Sequence, residues 1–467
     1  MPSKGVQCYS YIAVPGCQVE FSVPGTTIIR DQLRQFSNDH LEVDKDKIKG
    51  HFNFNGTFSF RVTQNGNQIA NESIEINTLT SHLGAGSMKS MENQLSVITN
   101  DIIVSYGFYD AGTGVAGLPS SDQCYVTVTP NYSRWMGEVA PQGSPQASKP
   151  FSKFFLPAAH DIGMNSMQNA DAILSSSAIV DALITFNPAF AKISAEMSHD
   201  AVMHIAPNIV RALSLTQKDP FPAILSIGAR YFEFRPAFLH KAIRAEHPIP
   251  DVLYFSHSAI PGMPYAQFLQ DTVSFLMAQP DEIVVVQLRW DGVPGDCAHP
   301  SDQDLADYMN SALQASNGSI VQGSLDDMRN LTIQQLREQR KRLVLFGPVD
   351  SLSTYTDAGN ATLNGDGIIA EFNQLTSESQ AGKPFTNLQC QATATNITDV
   401  VAYSVLSANA DNSCLLATKS ICDSKTLPWI VENAGRLDGG ELLVAMNDFF
   451  DGATADVAIE WSRKRLA

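Results

Sequence analysis

The sequence lacks the features of membrane-spanning, exported and nucleic-acid-binding proteins. Its 467 residues contain no run of about 18 apolar residues, so no transmembrane segment is predicted. The stretch from Met1 to Pro15 has no basic segment followed by an apolar core, so no secretion signal is predicted. Lys and Arg number 31 against 48 Asp and Glu, and the net charge of −17 argues against a nucleic-acid partner.

Cysteine is also scarce. The seven cysteines are odd in number and are not spaced as metal ligands, which predicts buried, reduced thiols. Cys8 with Cys17, or Cys414 with Cys422, would pair only in an oxidising compartment. The missing secretion signal favours the cytoplasm, whereas Asn-X-Ser/Thr triplets such as the one at Asn55 are typical of exported chains, so the compartment stays open.

Residues 1–135 have the short alternating apolar runs of β-strands. Between residues 51 and 62 apolar and polar residues alternate on both sides of Asn55-Gly56, which predicts a β-hairpin, and Asn65-Gly66 predicts another turn. We therefore predict an N-terminal all-β sandwich domain. Residues 136–150 are rich in Pro, Gly and Ser and are predicted to link this domain to the next.

Residues 151–467 alternate short apolar runs with longer helical stretches, which is typical of a parallel sheet. We predict an α/β fold, a distorted (β/α)8 TIM barrel, with a doubly wound sheet as the alternative. The candidate strands are Phe154–Ala159, Ala229–Arg235, Val252–His257, Glu282–Arg289, Arg342–Phe346, Gly367–Phe372, Leu388–Ala392 and Glu441–Phe449. The long connection 165–225 is predicted to form either barrel-wall helices or a lid that contacts a membrane.

Ionisable side chains stand at the predicted ends of four of these strands. They are His160, Asp161, Glu233, Arg235, His257 and Asp448. Glu233 and Arg235 are two residues apart, so their side chains point to the same side of the second strand. Because the eighth strand of a barrel closes against the first, we expect all six groups to line one cavity.

Two histidines near one arginine form a set of groups that is suited to phosphodiester chemistry. One imidazole accepts a proton and the other donates one, on opposite sides of a phosphorus atom. A guanidinium binds the phosphoryl oxygens, and carboxylates orient the rings. The competing interpretation is structural: strand-end histidines that only make hydrogen bonds, and a salt bridge between Arg235 and Glu233.

Five segments, in order, resemble the X-domain of phosphatidylinositol-specific phospholipases C. They are Leu156–Gly163, Ser214–Gln217 with Ile227–Arg235, Leu253–His257, Glu282–Leu288, and the tail Leu442–Asp448 with Asp456–Leu466. The resemblance covers about residues 151–467. It implies a distorted TIM barrel and the cleavage of a phosphodiester through a cyclic phosphate.

The resemblance also implies a role for each strand-end residue. His160 is the general base, supported by Asp448, and His257 is the general acid, supported by Asp161. Arg235 holds the phosphoryl oxygens. Arg235 stands where metal-dependent members carry an acidic ligand, so the resemblance implies no catalytic metal and no cofactor.

Several positions depart from the family pattern. Glu233 stands where metal-independent members usually have Asp, which leaves room for a weakly bound divalent ion. Ser258 follows the third-strand histidine, where the family often has Gly. Arg289 stands near the expected lysine of the fourth strand, and Glu371 near the expected inositol-binding acid of the sixth. Glu233, Arg289 and Glu371 are therefore the predicted substrate-binding residues.

The sequence thus predicts a metal-independent phosphodiesterase or phosphorus–oxygen lyase. The expected substrate is a phospholipid or another phosphodiester, with peripheral membrane contact as a further expectation. Two alternatives stay open: a non-catalytic protein that binds lipid or phosphate, and a related barrel that acts on a non-lipid substrate.

Overall fold

The protein is described from a computed structural model. The described residues are 5–50, 52–80, 82–110, 118–186, 191, 194–195, 197–356, 364–392, 413–437 and 439–467. Among these residues, none of the helices combines the length and the apolar character that crossing a bilayer requires.

Two five-stranded sheets form the N-terminal part of the chain. Their strands are β1 (Val6–Ile12), β2 (Cys17–Val23), β3 (Thr26–Arg30), β4 (Ser37–Leu41), β5 (Asn55–Gln64), β6 (Asn67–Asn77), β7 (His82–Leu83), β8 (Val97–Ile98), β9 (Ile102–Tyr109) and β10 (Asp122–Pro130). One sheet has the order β4-β1-β10-β9-β8 and the other β3-β2-β5-β6-β7. Apolar side chains of both sheets, including Val19, Phe60 and Val126, form one buried cluster, as in a sandwich.

The predicted hairpin turn at Asn55-Gly56 is wrong, whereas the turn at Asn65-Gly66 is confirmed. Asn55 begins β5 and pairs with Asn77 at the end of β6. The hairpin turns at Asn65 and Gly66, which have φ values of 49° and 84°. Both Asn-Gly pairs have the composition of a tight turn, but only the second lies between two strands long enough to pair.

The C-terminal part is built on an eight-stranded parallel sheet. Its strands are β11 (Phe155–Ala159), β12 (Tyr231–Phe234), β16 (Val284–Leu288), β17 (Gln322–Gly323), β18 (Leu343–Phe346), β19 (Leu352–Ser353), β20 (Phe385–Gln389) and β21 (Leu442–Asn447), in the order β17-β18-β16-β12-β11-β21-β20-β19. In the part of the chain that the structure describes, β17 and β19 do not pair with each other. The sheet is therefore open, and the closed barrel predicted from the sequence is not formed there.

The predicted third strand does not belong to this sheet. It is observed as β14 (Tyr254–His257), the middle strand of a separate antiparallel sheet. Its neighbours in that sheet are β13 (Pro236–Ala237) and β15 (Ile260–Pro264). As a result β12 pairs directly with β16. Pro236 lacks the N–H that would extend the parallel ladder, so the chain leaves the sheet after β12 and pairs with Phe255 instead.

The predicted sixth strand, Gly367–Phe372, is wrong, because this segment is helical. Ile368 and Phe372, four residues apart, are its buried residues, which is helical spacing. The predicted seventh strand is observed three residues earlier, as β20. A run of apolar residues this short does not distinguish a strand from one buried face of a helix.

The described part of the chain contains fourteen α-helices. They are α1 (Trp135–Val139), α2 (Gln168–Leu174), α3 (Ser177–Phe186), α4 (His199–Ser214), α5 (Phe221–Ile227), α6 (Lys241–Glu246), α7 (Tyr265–Ala278), α8 (Asp302–Gln314), α9 (Leu325–Asn330), α10 (Ile333–Glu338), α11 (Asp366–Gln374), α12 (Ser377–Gln380), α13 (Cys414–Asn433) and α14 (Gly452–Leu466). Helices α2 to α5 lie in the long connection between β11 and β12, within which 187–190, 192–193 and 196 lie outside the described residues.

Buried polar contacts join the N-terminal sheets to the C-terminal part. The carboxylate of Asp456 on α14 is fully buried and accepts hydrogen bonds from Tyr11, Tyr132 and Arg34. Trp135, within the segment that joins the two parts, is fully buried and donates its indole N–H to the carbonyl oxygen of Gly228. The two parts thus share a packed interface, and the domain boundaries at 135 and 150 stay predictions.

Candidate active site

His160 and Asp448 meet because β11 and β21 are neighbouring parallel strands. The backbone N–H of His160 donates to the carbonyl oxygen of Asn447 at 3.0 Å, which continues the ladder to the ends of both strands. The next residue after Asn447 is Asp448, and its Oδ1 lies 2.8 Å from Nδ1 of His160. Asp448 is buried, so this hydrogen bond fixes the orientation of the imidazole.

Asp161 lies at the centre of the cluster. Its backbone has a left-handed φ of 44°, and its side chain is almost completely buried. Oδ1 accepts a hydrogen bond from Nη2 of Arg235 at 2.7 Å. The Nε2 atoms of His160 and His257 lie 3.7 and 3.6 Å from the carboxylate. One buried carboxylate therefore lies within 3.7 Å of two imidazoles and is hydrogen-bonded to one guanidinium.

Two buried polar atoms of this cluster have no hydrogen-bond partner among the residues that the structure describes. They are Oδ2 of Asp161 and Nε of Arg235. A buried donor or acceptor without a partner costs about 1–3 kcal/mol, and such atoms are rare in native proteins. Arg235 therefore keeps an unused N–H donor inside the cluster, as a site that binds an oxyanion requires.

The antiparallel hairpin β14–β15 carries His257 to the cluster. This hairpin packs tightly on the loop after β11, because Met263 donates its N–H to the carbonyl oxygen of Gly163 at 2.8 Å. A Cβ atom on Gly163 would lie 2.1 Å from Cβ of Phe255, and one on Gly262 would lie 2.2 Å from the Gly163 oxygen. Both positions require glycine, and a larger residue at either would push His257 away from Asp161.

The residue after His257 has a left-handed backbone. Ser258 has a φ of 55°, a conformation that glycine adopts easily and other residues adopt at a cost of about 1–2 kcal/mol. Its carbonyl oxygen accepts a hydrogen bond from Oγ of Ser256 at 2.6 Å. Ser258 thus adopts a turn conformation that glycine would adopt without this cost.

The two imidazoles have shifted pKa values in opposite directions. Burial opposes the charged form of His160, but the carboxylates of Asp161 and Asp448 outweigh it and raise the pKa of His160 to about 9. Burial outweighs the attraction of Asp161 at His257, and with the charge of Arg235 it lowers the pKa of His257 to about 4, although 29% of the His257 side chain is exposed. At neutral pH the pair therefore holds one proton, on His160.

The carboxylates respond to the same charges. Burial raises the pKa of Asp161, but Arg235 and the two imidazoles outweigh it and lower that pKa to about 2. Burial raises the pKa of Asp448, with His160 acting in the opposite direction. The carboxyl group of Asp161 is therefore ionised at neutral pH, because the positive charges around it stabilise the anion.

Glu233 and Arg289 form a second ion pair beside the cluster. Nη1 of Arg289 lies 2.6 Å from Oε1 of Glu233, and its other nitrogens bind Asp291 in a two-pronged contact. The structural alternative of a salt bridge between Arg235 and Glu233 is not formed. Since Arg289 occupies the Glu233 carboxylate, a divalent ion at Glu233 would have to displace this pair.

Glu371 is not brought to this cluster. It lies on α11, where Phe372 packs against Trp429 of α13 with ring centroids 5.0 Å apart. The same apolar cluster contains Leu388 and Cys390 of the β20 segment, whose side chains face away from Gln389. Glu371 thus lacks the strand-end position on which its substrate-binding role was predicted.

One group of three side chains among the described residues has the spacing of metal ligands, and it lies elsewhere. It consists of His82, Asp110 and Asp122, in the N-terminal sheets. Nδ1 of His82 lies 3.0 Å from Oδ1 of Asp122. The absence of a catalytic metal at the cluster stays a prediction.

Residues 214–217 contact the site, although no role was predicted for them. In the structure Oγ of Ser214 lies 3.2 Å from Nδ1 of His257. Thr216 donates its hydroxyl to the carbonyl oxygen of Asp161 at 3.0 Å, and Gln217 contacts the loop of His160. These residues are far from the histidines in sequence, so no local pattern marks them as part of the site.

The comparisons with known proteins give a likeness of fold. No family model and no curated protein matches the chain. Among solved structures, the phosphatidylinositol-specific phospholipase C of Listeria monocytogenes is 12% identical, with a TM-score of 0.39 over 71% of this chain and 98% of that one. A mutant of the Staphylococcus aureus enzyme is 11% identical, with a TM-score of 0.40 over 70% and 96%. At these values the likeness concerns the arrangement of elements alone.

Proposed function

We propose that this protein is a metal-independent phosphodiesterase or phosphorus–oxygen lyase. The observation that carries the proposal is the placement of two imidazoles and one guanidinium around the buried carboxylate of Asp161, within 2.7 to 3.7 Å of its oxygens. This arrangement provides an acid, a base and an oxyanion binder in one cluster, which are the groups that cleavage of a phosphodiester by a neighbouring hydroxyl requires.

In the proposed reaction a hydroxyl of the substrate attacks phosphorus. A new phosphorus–oxygen bond forms to this hydroxyl, whose proton passes to His160, and the bond to the leaving alcohol breaks as that alcohol takes a proton from His257. Arg235 donates N–H groups to the phosphoryl oxygens as their charge grows. The products are a cyclic phosphodiester and a free alcohol. The guanidinium supplies the positive charge that a metal ion supplies in other phosphoryl-transfer sites.

The resting protonation state constrains these roles. Acid–base catalysis needs one proton on the pair, and the pKa values of about 9 and about 4 provide one at neutral pH. That proton rests on His160, the assigned base. A bound phosphodiester anion adds negative charge, which raises the pKa of His257. The roles assigned above therefore require that substrate binding moves the proton from His160 to His257. If the roles are exchanged, so that His160 is the acid and His257 the base, the protonation states of the free protein already fit them.

The proposed substrate class is a phospholipid or a related glycerophosphodiester. Its support is the ordered set of segments, from Leu156–Gly163 to the tail, that resembles phosphatidylinositol-specific phospholipases C. The pair of Glu233 and Arg289 beside the cluster offers charged donors and acceptors for a polar headgroup. Peripheral contact with a lipid surface is part of this proposal, and a cytoplasmic location stays a prediction.

The test is turnover in the presence of a chelator. Phosphatidylinositol micelles are incubated with the protein, and cyclic inositol phosphate is measured by phosphorus NMR. We expect product from the wild type, and none from His160→Ala or His257→Ala. His199→Ala is the matched control, because His199 also lies 2.8 Å from a carboxylate, that of Asp181, but on an exposed surface. Equal rates for the wild type and His160→Ala would refute the proposal.

One observation favours a second candidate, a protein that binds phosphate without turnover. Nε of Arg235 is buried and has no hydrogen-bond partner among the described residues, and the neighbouring His160 carries a proton at neutral pH. These N–H donors suit the binding of an anion. Binding of inorganic phosphate or inositol phosphate without turnover of any phosphodiester would support it, and turnover of glycerophosphodiesters but not of lipids would indicate a non-lipid substrate.

A further inference from the structure

Gln217 bridges the two loops that carry His160 and Asp448. Its side chain is buried, with 1% of the residue exposed. Nε2 donates to the carbonyl oxygen of His160 at 2.8 Å and to that of Asn447 at 3.1 Å. Oε1 accepts the backbone N–H of Phe450 at 2.8 Å. A single amide group therefore joins the end of β11 to the loop after β21.

The neighbouring residue strengthens this bridge. The hydroxyl of Thr216 donates to the carbonyl oxygen of Asp161, and its own carbonyl oxygen accepts the N–H of Phe449 at 2.6 Å. Asp161 and Phe449 both have left-handed backbones, with φ values of 44° and 43°. Such conformations persist only where the surroundings hold them. The segment 216–217 contacts both of these turns and holds them in place.

The same segment is anchored on its other side to the N-terminal sheets. Lys218 and Asp219 form a buried ion pair at 2.9 Å. Lys218 donates to the carbonyl oxygen of Gln94 at 2.7 Å, and Asp219 accepts the backbone N–H and the hydroxyl of Ser96 at 2.7 Å each. Gln217 thus lies between the buried ion pair of Lys218 and Asp219 on one side and the loops of His160 and Asp448 on the other. These contacts define the position of its amide group.

We propose that Gln217 is a positioning residue that keeps the imidazole of His160 and the carboxylate of Asp448 at hydrogen-bond distance. The backbone hydrogen bonds between β11 and β21 end with the bond from the N–H of His160 to the carbonyl oxygen of Asn447. Beyond that bond, the side chain of Gln217 continues to link the two loops. Without the amide, the contacts of Thr216 and the last bond of the ladder are what still join the loop of Asp448 to the loop of His160. The inference rests on the proposed function only for its effect on turnover, because the contact between His160 and Asp448 exists without substrate.

The test compares Gln217→Met with Gln123→Met. Methionine is similar in length to glutamine and cannot replace its hydrogen bonds. Gln123 is the matched control: it is also buried, and its Nε2 donates to a backbone carbonyl oxygen, that of Ala417, at 3.0 Å, away from the cluster. Gln217→Glu is a second variant, which keeps the acceptor for Phe450 and loses both donors at neutral pH.

The first readout needs no substrate. The histidine rings are labelled with ¹³C and ¹⁵N, and the pKa of His160 is measured by NMR titration of each folded variant. We expect this pKa to fall from about 9 toward its ordinary value of about 6.5 in Gln217→Met, less in Gln217→Glu, and not at all in Gln123→Met. An unchanged His160 titration in folded Gln217→Met would overturn the proposal, and so would a turnover rate of Gln217→Glu equal to that of an active wild type.

The second readout is turnover. A displacement of about 1 Å in a catalytic pair costs roughly 10²-fold in rate, so we expect that loss in kcat for Gln217→Met with a smaller change in KM. Gln123→Met should keep its rate. If the wild type turns over no phosphodiester, the proposed function fails, and the titration alone decides the positioning role. If the wild type is active and the His160 titration of Gln217→Met matches it, the positioning role fails alone.

Discussion

Replacement of Asp448 by asparagine tests the central hydrogen bond of the cluster. The change keeps the size of the side chain and removes a buried carboxylate 2.8 Å from Nδ1 of His160. The shift of the His160 pKa from about 6.5 to about 9 corresponds to roughly 3 kcal/mol in favour of the charged ring. Two carboxylates share this effect, and Asp161 is the more distant one, at 3.7 Å.

We therefore expect the pKa of His160 to fall by roughly one to three units in Asp448→Asn, the effect typical of one close opposite charge. Because kcat/KM reports the groups of the free enzyme, the alkaline limb of its pH profile should move down from about 9 by the same amount. The rate at neutral pH should fall by about 10²–10⁴-fold, the usual contribution of a positioned acid or base.

The assay is a pH profile of cyclic phosphate release from phosphatidylinositol micelles, measured for the wild type and the variant. Asp181→Asn is the control, because Asp181 and His199 form a pair of the same length whose side chains are half exposed. A variant whose alkaline limb stays near 9 and whose rate stays within about threefold of the wild type would refute the reasoning, since acid–base catalysis normally contributes at least about 10²-fold.

The remaining predictions concern the proton count, the guanidinium, the interface and one strained turn. The kcat/KM of the wild type should be bell-shaped, falling below about 4 as the second imidazole gains a proton and above about 9 as the first loses its own, with no effect of a chelator. Arg235→Lys keeps the charge but loses the planar donors, and should lower kcat by about 10²–10³-fold. Asp456→Asn replaces one of the two carboxylate oxygens that accept from Tyr11, Tyr132 and Arg34, and should cost about 1–3 kcal/mol in urea unfolding. Glu20→Gln, at an exposed pair, should cost less than about 1 kcal/mol in the same measurement. Ser258→Gly should stabilise the fold by about 1 kcal/mol, because glycine adopts a φ of 55° without strain; a loss of stability would contradict this.

The sequence predicted the strands that carry the cluster better than the sheet that they form. The apolar runs before His160, Glu233 and Asp448 mark β11, β12 and β21, because each run is buried on both faces. The first, second, third and eighth predicted strands were expected to lie side by side in one sheet, and this is wrong for the third. The strand of His257 pairs outside the parallel sheet, and it reaches the cluster through the close contact of Gly163 and Gly262.

The misplacement of Glu371 has a similar physical origin. The run from 367 to 372 contains adjacent apolar residues, and their local pattern fits a buried strand as well as one face of a helix. Packing against α13 and the outer face of β20 decides for the helix. Burial of a helix face is a property of the assembled molecule, so a single-sequence pattern does not determine it.

The sequence by itself determined which residue types stand at the strand ends and which of them share a side, because side-chain direction along a strand follows a period of two residues. Only the tertiary structure decided which side chains form ion pairs and hydrogen bonds with one another. Arg235 binds Asp161 and not Glu233, and Gln217 joins loops 57 and 230 residues away in the chain. These choices depend on the distances between separate segments after folding, and those distances are set by strand pairing and packing across the whole molecule.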